Sequence, residues 1–183
     1  LGAASTAKSG GPLPPLEIGE GTRIGAQAVI CRGAKIGRNG VVGDGALIRE
    51  RVTIGDNCVV GAHVVIENNV TIGDRTKIQT KAYITAMTTV ESDAFIAPCV
   101  ITTNDNYMGR TEERFKYKGG AKIMRGARVG AGAVLLPNVT IGREAFVAAG
   151  SVVTRDAPEG MLVMGSPAKP VRPVNEKEKL DYK

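Results

Sequence analysis

The sequence predicts an all-β fold, a parallel β-helix built from one short repeating unit, on three observations. An aliphatic residue recurs at every sixth position from Ile18 to Ile96 without a miss. A small or β-branched residue stands four positions after nearly every one of them. Glycine often comes directly after the aliphatic residue, whereas aromatic residues make up only 4% of the chain and tryptophan is absent.

The aliphatic series is Ile18, Ile24, Ile30, Ile36, Val42, Ile48, Ile54, Val60, Ile66, Ile72, Ile78, Ile84, Val90 and Ile96. This spacing fits neither the roughly 3.6-residue turn of a helix nor plain alternation; it fits a short strand followed by a turn. Residues such as Ala28, Ala46, Val52, Cys58 and Val64 stand two before the next aliphatic one, so each such pair points to one face. Gly19, Gly25, Gly37, Gly43, Gly55, Gly61 and Gly73 are expected to turn the corners, where positive φ costs glycine little. Stacked coils would then bury a continuous aliphatic column, with backbone hydrogen bonds running from coil to coil at about 4.8 Å. A core of many small layers needs few aromatics.

The pattern fails after Ile96 and restarts at Ile123, continuing through Val129, Leu135, Ile141, Val147 and Val153. Ile96 and Ile123 are 27 residues apart, which is not a multiple of six. The polar stretch at about 103–121 is therefore expected as an extruded loop, and such loops carry function more often than stability. Residues 1–17, rich in Gly, Ala, Ser and Pro, read as a leader that caps the open first coil. The β-helix is expected over 18–158, followed by a short Pro- and Gly-rich C-terminal tail at 159–183. Within that tail, Asn175 to Lys183 read as a short surface helix or a frayed end.

The formal net charge is +6, but the cations are dispersed and few aromatics accompany them. That argues against nucleic acid as a partner and fits a basic surface facing a phosphorylated small molecule. Cys31, Cys58 and Cys99 are too far apart for a C-x-x-C metal or redox motif, and their odd number, without a signal-peptide pattern, points to a reducing cytoplasm. No apolar run approaches the roughly 18 residues of a membrane span, so no membrane insertion is expected.

The repeat, together with the terminal Gly165-Ser166-Pro167-Ala168-Lys169 and Arg172, resembles the hexapeptide-repeat acyltransferase superfamily over about residues 18 to 173. The resemblance implies a left-handed β-helix; the period alone does not set the hand. It also implies a homotrimer with active sites in the clefts between subunits, and acetyl-CoA as co-substrate with no metal. Two stretches are similar to the branch that acetylates amino sugars on nucleotides. They are Gly61-Ala62-His63-Val64-Val65-Ile66-Glu67-Asn68 and the T-N-D segment Thr103-Asn104-Asp105-Asn106-Tyr107.

Acyl transfer from a thioester to an amine needs a deprotonated amine, aligned partners and a stabilised oxyanion. His63 is the only histidine and the natural base, at a corner where it faces solvent or a neighbouring subunit. The alternative is that the amine loses its proton to solvent. Asp105 is the candidate to hold the amine, Asn104 to bind a sugar hydroxyl or the acyl oxygen, and Tyr107 to contact the acceptor. The same residues also suit an Asx turn where the chain leaves regular structure. His63 and Asn104 are expected on different corners, a little over two coils apart, so they would meet only across a subunit interface. For coenzyme A, the resemblance points to Gly132, Ala149 and Ser151 along the pantetheine arm. Lys169 and Arg172 would face its phosphates, with Lys122, Arg125 and Arg128 as further cations.

A carbonic anhydrase of the same fold needs three histidines per zinc site and is excluded by the single one. A sugar-phosphate nucleotidyltransferase would need an additional α/β domain. The function expected is acetyl transfer to the amino group of a nucleotide-linked amino sugar, with a small-molecule acceptor and coenzyme A as the ligands. O-acetylation of a simple sugar or other small hydroxyl acceptor and a non-catalytic trimeric scaffold are the alternatives.

Overall fold

In the computed structural model, which describes residues 1–2 and 12–181, successive two-residue strands pair in parallel at a constant offset. Ile18 sits beside Ile36, Ile36 beside Ile54 and Ile54 beside Ile72, so one coil is 18 residues and takes three strands. The strands form three sheets of seven, nine and seven members. The first sheet begins at Glu17–Ile18, the second at Arg23–Ile24 and the third at Val29–Ile30. The six-residue spacing thus places each aliphatic residue inside one of the three walls, and Ile48, Ile66, Ile84, Ile96 and Ile123 are fully buried. The small residues Ala46, Val52, Cys58, Val64 and Val70 are buried with them. The capping role expected of the leader falls partly on residues 3–11, outside the described residues; Leu16, beyond them, packs against the core.

The corners differ from expectation. The left-handed backbone does not fall on the glycines after the strands but two residues later, mostly on other residue types: Asn39, Asn57, His63, Arg75 and Lys81 all have φ between 54° and 61°. The strand-end glycines are needed for a different reason. A Cβ on Gly43 would lie 2.6 Å from the Ala62 nitrogen, and one on Gly61 would lie 2.6 Å from the Thr80 nitrogen. Glycine there lets one coil settle on the next. Gly43→Ala is therefore expected to lower the urea midpoint markedly, although alanine ordinarily gains about 0.4–1 kcal/mol by restricting the unfolded chain. An unchanged or raised midpoint would contradict the close-contact explanation.

The break in the repeat begins inside the third sheet. Its interior column runs Ile30, Ile48, Ile66, Ile84, Thr102, Leu135 and Val153, so a buried threonine interrupts the aliphatic series. The Thr102 hydroxyl accepts from the Thr85 backbone N–H at 2.8 Å, where the preceding coils use a carbonyl. The chain then leaves at the corner between the third and first sheets and carries a short helix, Arg114–Tyr117. It re-enters at Lys122–Ile123 in register with Thr89–Val90.

The C-terminal segment holds more structure than its composition suggests. Met161–Gly165 pairs in parallel with Phe146–Val147 of the second sheet, and Ala168–Pro173 folds back antiparallel on it. Pro170 and Pro173 lie on that outer strand, where missing donors discourage further pairing. The last turn, Glu176–Glu178, is tied back by Arg128 Nη2 to Glu178 Oε2 at 3.0 Å and by the Leu180 N–H to Glu144 Oε1 at 3.1 Å. Among the described residues no helix is long and apolar enough to cross a membrane.

Candidate active site

The outward positions of the three sheets differ in chemistry. The first sheet shows Glu17, Lys35, Thr53, Thr71, Thr89, Lys122 and Thr140. The second is mixed. The third presents an unbroken apolar column of Val29, Leu47, Val65, Tyr83, Ile101, Val134 and Val152. Such a stripe on a water-facing wall marks a binding surface.

The two edges of this sheet carry the predicted residues. At the corner between the second and third sheets, His63 lies in one column with Gly45, Lys81, Cys99, Gly132 and Gly150, each step joined by backbone hydrogen bonds to the coil before. The His63 imidazole covers Gly45, where an added Cβ would fall 2.5 Å from its Nδ1. The ring is exposed, and no other group among the described residues hydrogen-bonds to it. Along the same corner, Cβ atoms built on Gly132 and Gly150 would meet nothing within 4 Å. The track above Cys99 is thus bare and open, room for a thin chain to lie on.

The opposite edge carries the loop. A cleft of about 400 Å³ opens at its root, between Tyr83, Thr85, Ile101 and Thr102 of the third sheet, Thr103 to Asn106 and Met108 of the loop, and Leu136 and Pro137 of the next coil. Asn104 Nδ2 donates to the Ala86 carbonyl at 3.4 Å, and its backbone carbonyl accepts from Gly119 at 3.1 Å, which closes the loop base. Asp105 lines the cleft but also organises the loop. Its Oδ1 accepts from the Tyr107 N–H at 2.9 Å, and its Oδ2 from the Gly109 N–H and from Arg114 Nη1, both at 3.1 Å. The Asx turn is therefore present. Tyr107 stacks on Tyr117 with ring centroids 6.3 Å apart and is not among the lining residues of the cleft.

Burial alone would raise the Asp105 carboxyl, but the Tyr107 and Gly109 donors and Arg114 outweigh it and hold its pKa below the ordinary value. A carboxyl whose folded pKa is depressed stabilises above its unfolded pKa and loses that contribution as pH falls through the folded one. The loop anchor should thus be complete above about pH 4 and be released below it. Limited proteolysis between Tyr107 and Lys118 checks this: cleavage should accelerate only on the acid side. Cleavage equally fast at neutral pH would contradict it.

The remaining predicted residues sort into two groups. Ala149 is exposed beside Gly150, whereas Ser151 is buried and its Oγ accepts from the Gly165 N–H at 3.2 Å, pinning the hairpin tip to this corner. Lys169, paired with Met164, is exposed near that tip, and Arg172 is exposed further along, opposite Leu162. Arg125 and Arg128 are already engaged elsewhere, with Asp93 and with Glu178 and the Phe146 ring. His63 and Asn104 lie on opposite edges of the third sheet. Asn104 is in the column of Asn68, which shares the coil of His63, so the two are two coils, about 10 Å, apart along the axis.

Residues 15–50, 51–86 and 120–155 match the family described as bacterial transferase hexapeptide (six repeats), and the loop falls in the gap between the last two matches. The 2,3,4,5-tetrahydropyridine-2,6-dicarboxylate N-acetyltransferase of Clostridium perfringens (strain SM101 / Type A) is 53% identical over 51 residues, which is 28% of this chain and 22% of that protein. The match therefore spans about a fifth of the curated relative. Among solved structures, a histidine-to-alanine mutant of GDP-perosamine N-acetyltransferase from Caulobacter crescentus, in complex with CoA and GDP-perosamine, is 26% identical with a TM-score of 0.56. That match covers 82% of this chain and 57% of the other. The acetyltransferase domain of PglB from Neisseria gonorrhoeae FA1090, in complex with acetyl coenzyme A, is 23% identical with a TM-score of 0.58 and the same coverage, a likeness of fold.

Proposed function

This chain belongs to the bacterial transferase hexapeptide repeat family, and on that premise we propose that it transfers an acetyl group from acetyl-CoA to the amino group of a nucleotide-linked amino sugar. The observation that carries the reading is the third sheet, with its apolar outer face between His63 on one edge and the loop cleft on the other. In a cyclic trimer built on that face, one edge of each subunit meets the opposite edge of the next, because such contacts are head-to-tail. His63 of one subunit would then approach Asn104 and Asp105 of its neighbour, which the separation within one chain does not allow.

The bare corner above Cys99 suits the pantetheine arm, with Lys169 near the hairpin tip for its phosphates. Ser151 contributes through the position of that tip, since its hydroxyl is already bonded to Gly165. The acceptor class is supported by the solved neighbour that holds GDP-perosamine. Release of free thiol from acetyl-CoA over amino-sugar nucleotides, simple sugars and tetrahydropyridine dicarboxylate tests the reading. Activity confined to hydroxyl acceptors or to the dicarboxylate would overturn the acceptor, and no binding of millimolar acetyl-CoA would leave only a scaffold.

A further inference from the structure

Four side chains on coils N-terminal to the cleft form a line of contacts that ends on its floor. Glu50 is fully buried. Arg49 donates to both of its carboxylate oxygens, from Nε to Oε2 at 3.0 Å and from Nη2 to Oε1 at 3.4 Å. The remaining guanidinium nitrogen, Nη1, reaches across one coil to Glu67 Oε2 at 3.3 Å. Glu67 in turn lies close enough to the Tyr83 phenol for its charge to raise the phenol's pKa. The register explains the reach: Tyr83 pairs with Val65, and Glu67 stands two residues further on the same face, a diagonal that an aromatic side chain spans. Tyr83 then lines the cleft beside Thr85 and Ile101.

An Arg–Glu pair in the interior adds little net stability, because desolvating both charges offsets their attraction. What a two-pronged contact does supply is a guanidinium plane with one orientation. Here that plane aims its free prong at Glu67, which stands beside the phenol. Burial, and then the neighbouring Glu67 charge, push the Tyr83 pKa up, which keeps the phenol protonated beside Glu67.

The geometry points to Glu67, oriented by the Arg49–Glu50 pair, as a positioning residue that fixes the Tyr83 ring on the cleft floor. Through that ring it sets where the acceptor sits relative to Asn104. The inference rests on the acceptor reading above. The cleft has an apolar side, Tyr83, Ile101 and Leu136, and a polar side, Thr103, Asn104 and Asp105. A hexose offers the same pair of surfaces, a ring face of C–H groups and an edge of hydroxyl and amino groups.

Steady-state kinetics on Y83F, E67A and E67Q, beside their melting temperatures, test this with acetyl-CoA and the best amino-sugar nucleotide. Y83F and E67A are expected to raise the acceptor KM about tenfold, the loss of roughly one hydrogen bond, with kcat changed by less than about threefold. The KM for acetyl-CoA and the Tm stay unchanged. E67Q, whose amide oxygen can accept from the phenol, should fall between wild type and E67A. An unaltered acceptor KM in both Y83F and E67A overturns the inference. So does a lowered Tm with equal losses for both substrates, which would mark the group as structural. If the unsubstituted protein acetylates no amino sugar, the acceptor reading fails, and the link is judged by ultraviolet titration of tyrosine. Glu67, Thr85 and Arg49 are the groups facing the phenol. E67A should lower the ionisation pH of one tyrosine, the one absent from Y83F; an unchanged curve overturns the link.

Discussion

Lysine at both Val65 and Val134 is expected to leave a folded monomer with less than about one hundredth of the wild-type transfer rate. Both side chains point outward from the third sheet and are half-buried in the single chain, so an ammonium there stays in water and the coils remain stacked. Between subunits the same charge would be desolvated without a partner. That costs on the order of several kcal/mol per charge, more than a head-to-tail contact can lose and persist. A hundredfold fall corresponds to about 2.7 kcal/mol, well within that cost. If the proposed trimer forms on this face, sedimentation should show its loss, and circular dichroism should show the unchanged β-helix. The matched control is lysine at Thr53 and Thr71, on the outward face of the first sheet, which should alter neither mass nor rate. A V65K/V134K protein that stays trimeric would remove the third sheet as the interface. One that is monomeric and fully active would remove the shared active site.

The features legible in the sequence are those that repeat. Each coil has the same neighbours, so one inward position in six is under the same demand for an aliphatic side chain, and counting finds the wall at Ile48, Ile66 and Ile84 alike. The loop was legible by the same logic, since Thr102 is the first interior position of the series that is not aliphatic. The cleft was not. Tyr83, Ile101 and Leu136 come from three coils, and two of them are outward residues that an inward count passes over. A signal for them exists once the 18-residue coil is known. Reading outward at that interval gives Val29, Leu47, Val65, Tyr83 and Ile101, apolar throughout, where the first sheet gives Thr and Lys.

Two differences between the sequence pattern and the fold share a cause. The glycine spacing predicts corners that turn on glycine φ, whereas the corner turns on Asn39, Asn57 and His63, and the strand-end glycines serve contact between coils. Contacts between coils lie 18 residues apart, beyond any local pattern. The hairpin of Met161–Gly165 and Ala168–Pro173 was likewise hidden, because Pro and Gly suppress a strand pattern that an edge position tolerates. Asp105 combines two roles that composition cannot separate. Its carboxylate folds the loop through Tyr107, Gly109 and Arg114 and still lines the cleft.

His63→Asn is the second large effect expected: a fall in kcat of about 10²- to 10³-fold with the KM for acetyl-CoA unchanged, the range a positioned base contributes. Asparagine is the informative replacement because the backbone there is left-handed, with φ of 54°. Among residues other than glycine, asparagine adopts that conformation most readily, so the corner survives while the imidazole is lost. A second variant separates the ring's presence from its placement. Gly45→Ala keeps His63 but puts a Cβ 2.5 Å from Nδ1, so the ring must shift; alanine is also strained at the φ of +64° there, and the variant's Tm is read beside its rate. It should impair kcat in the same direction. If solvent rather than His63 takes the amine's proton, both variants keep their full rate, and the base assignment falls while the fold and the cleft stand. If His63 is the base, the residual rate of H63N should climb with pH, because a larger share of the acceptor then arrives already deprotonated and no longer needs the missing imidazole.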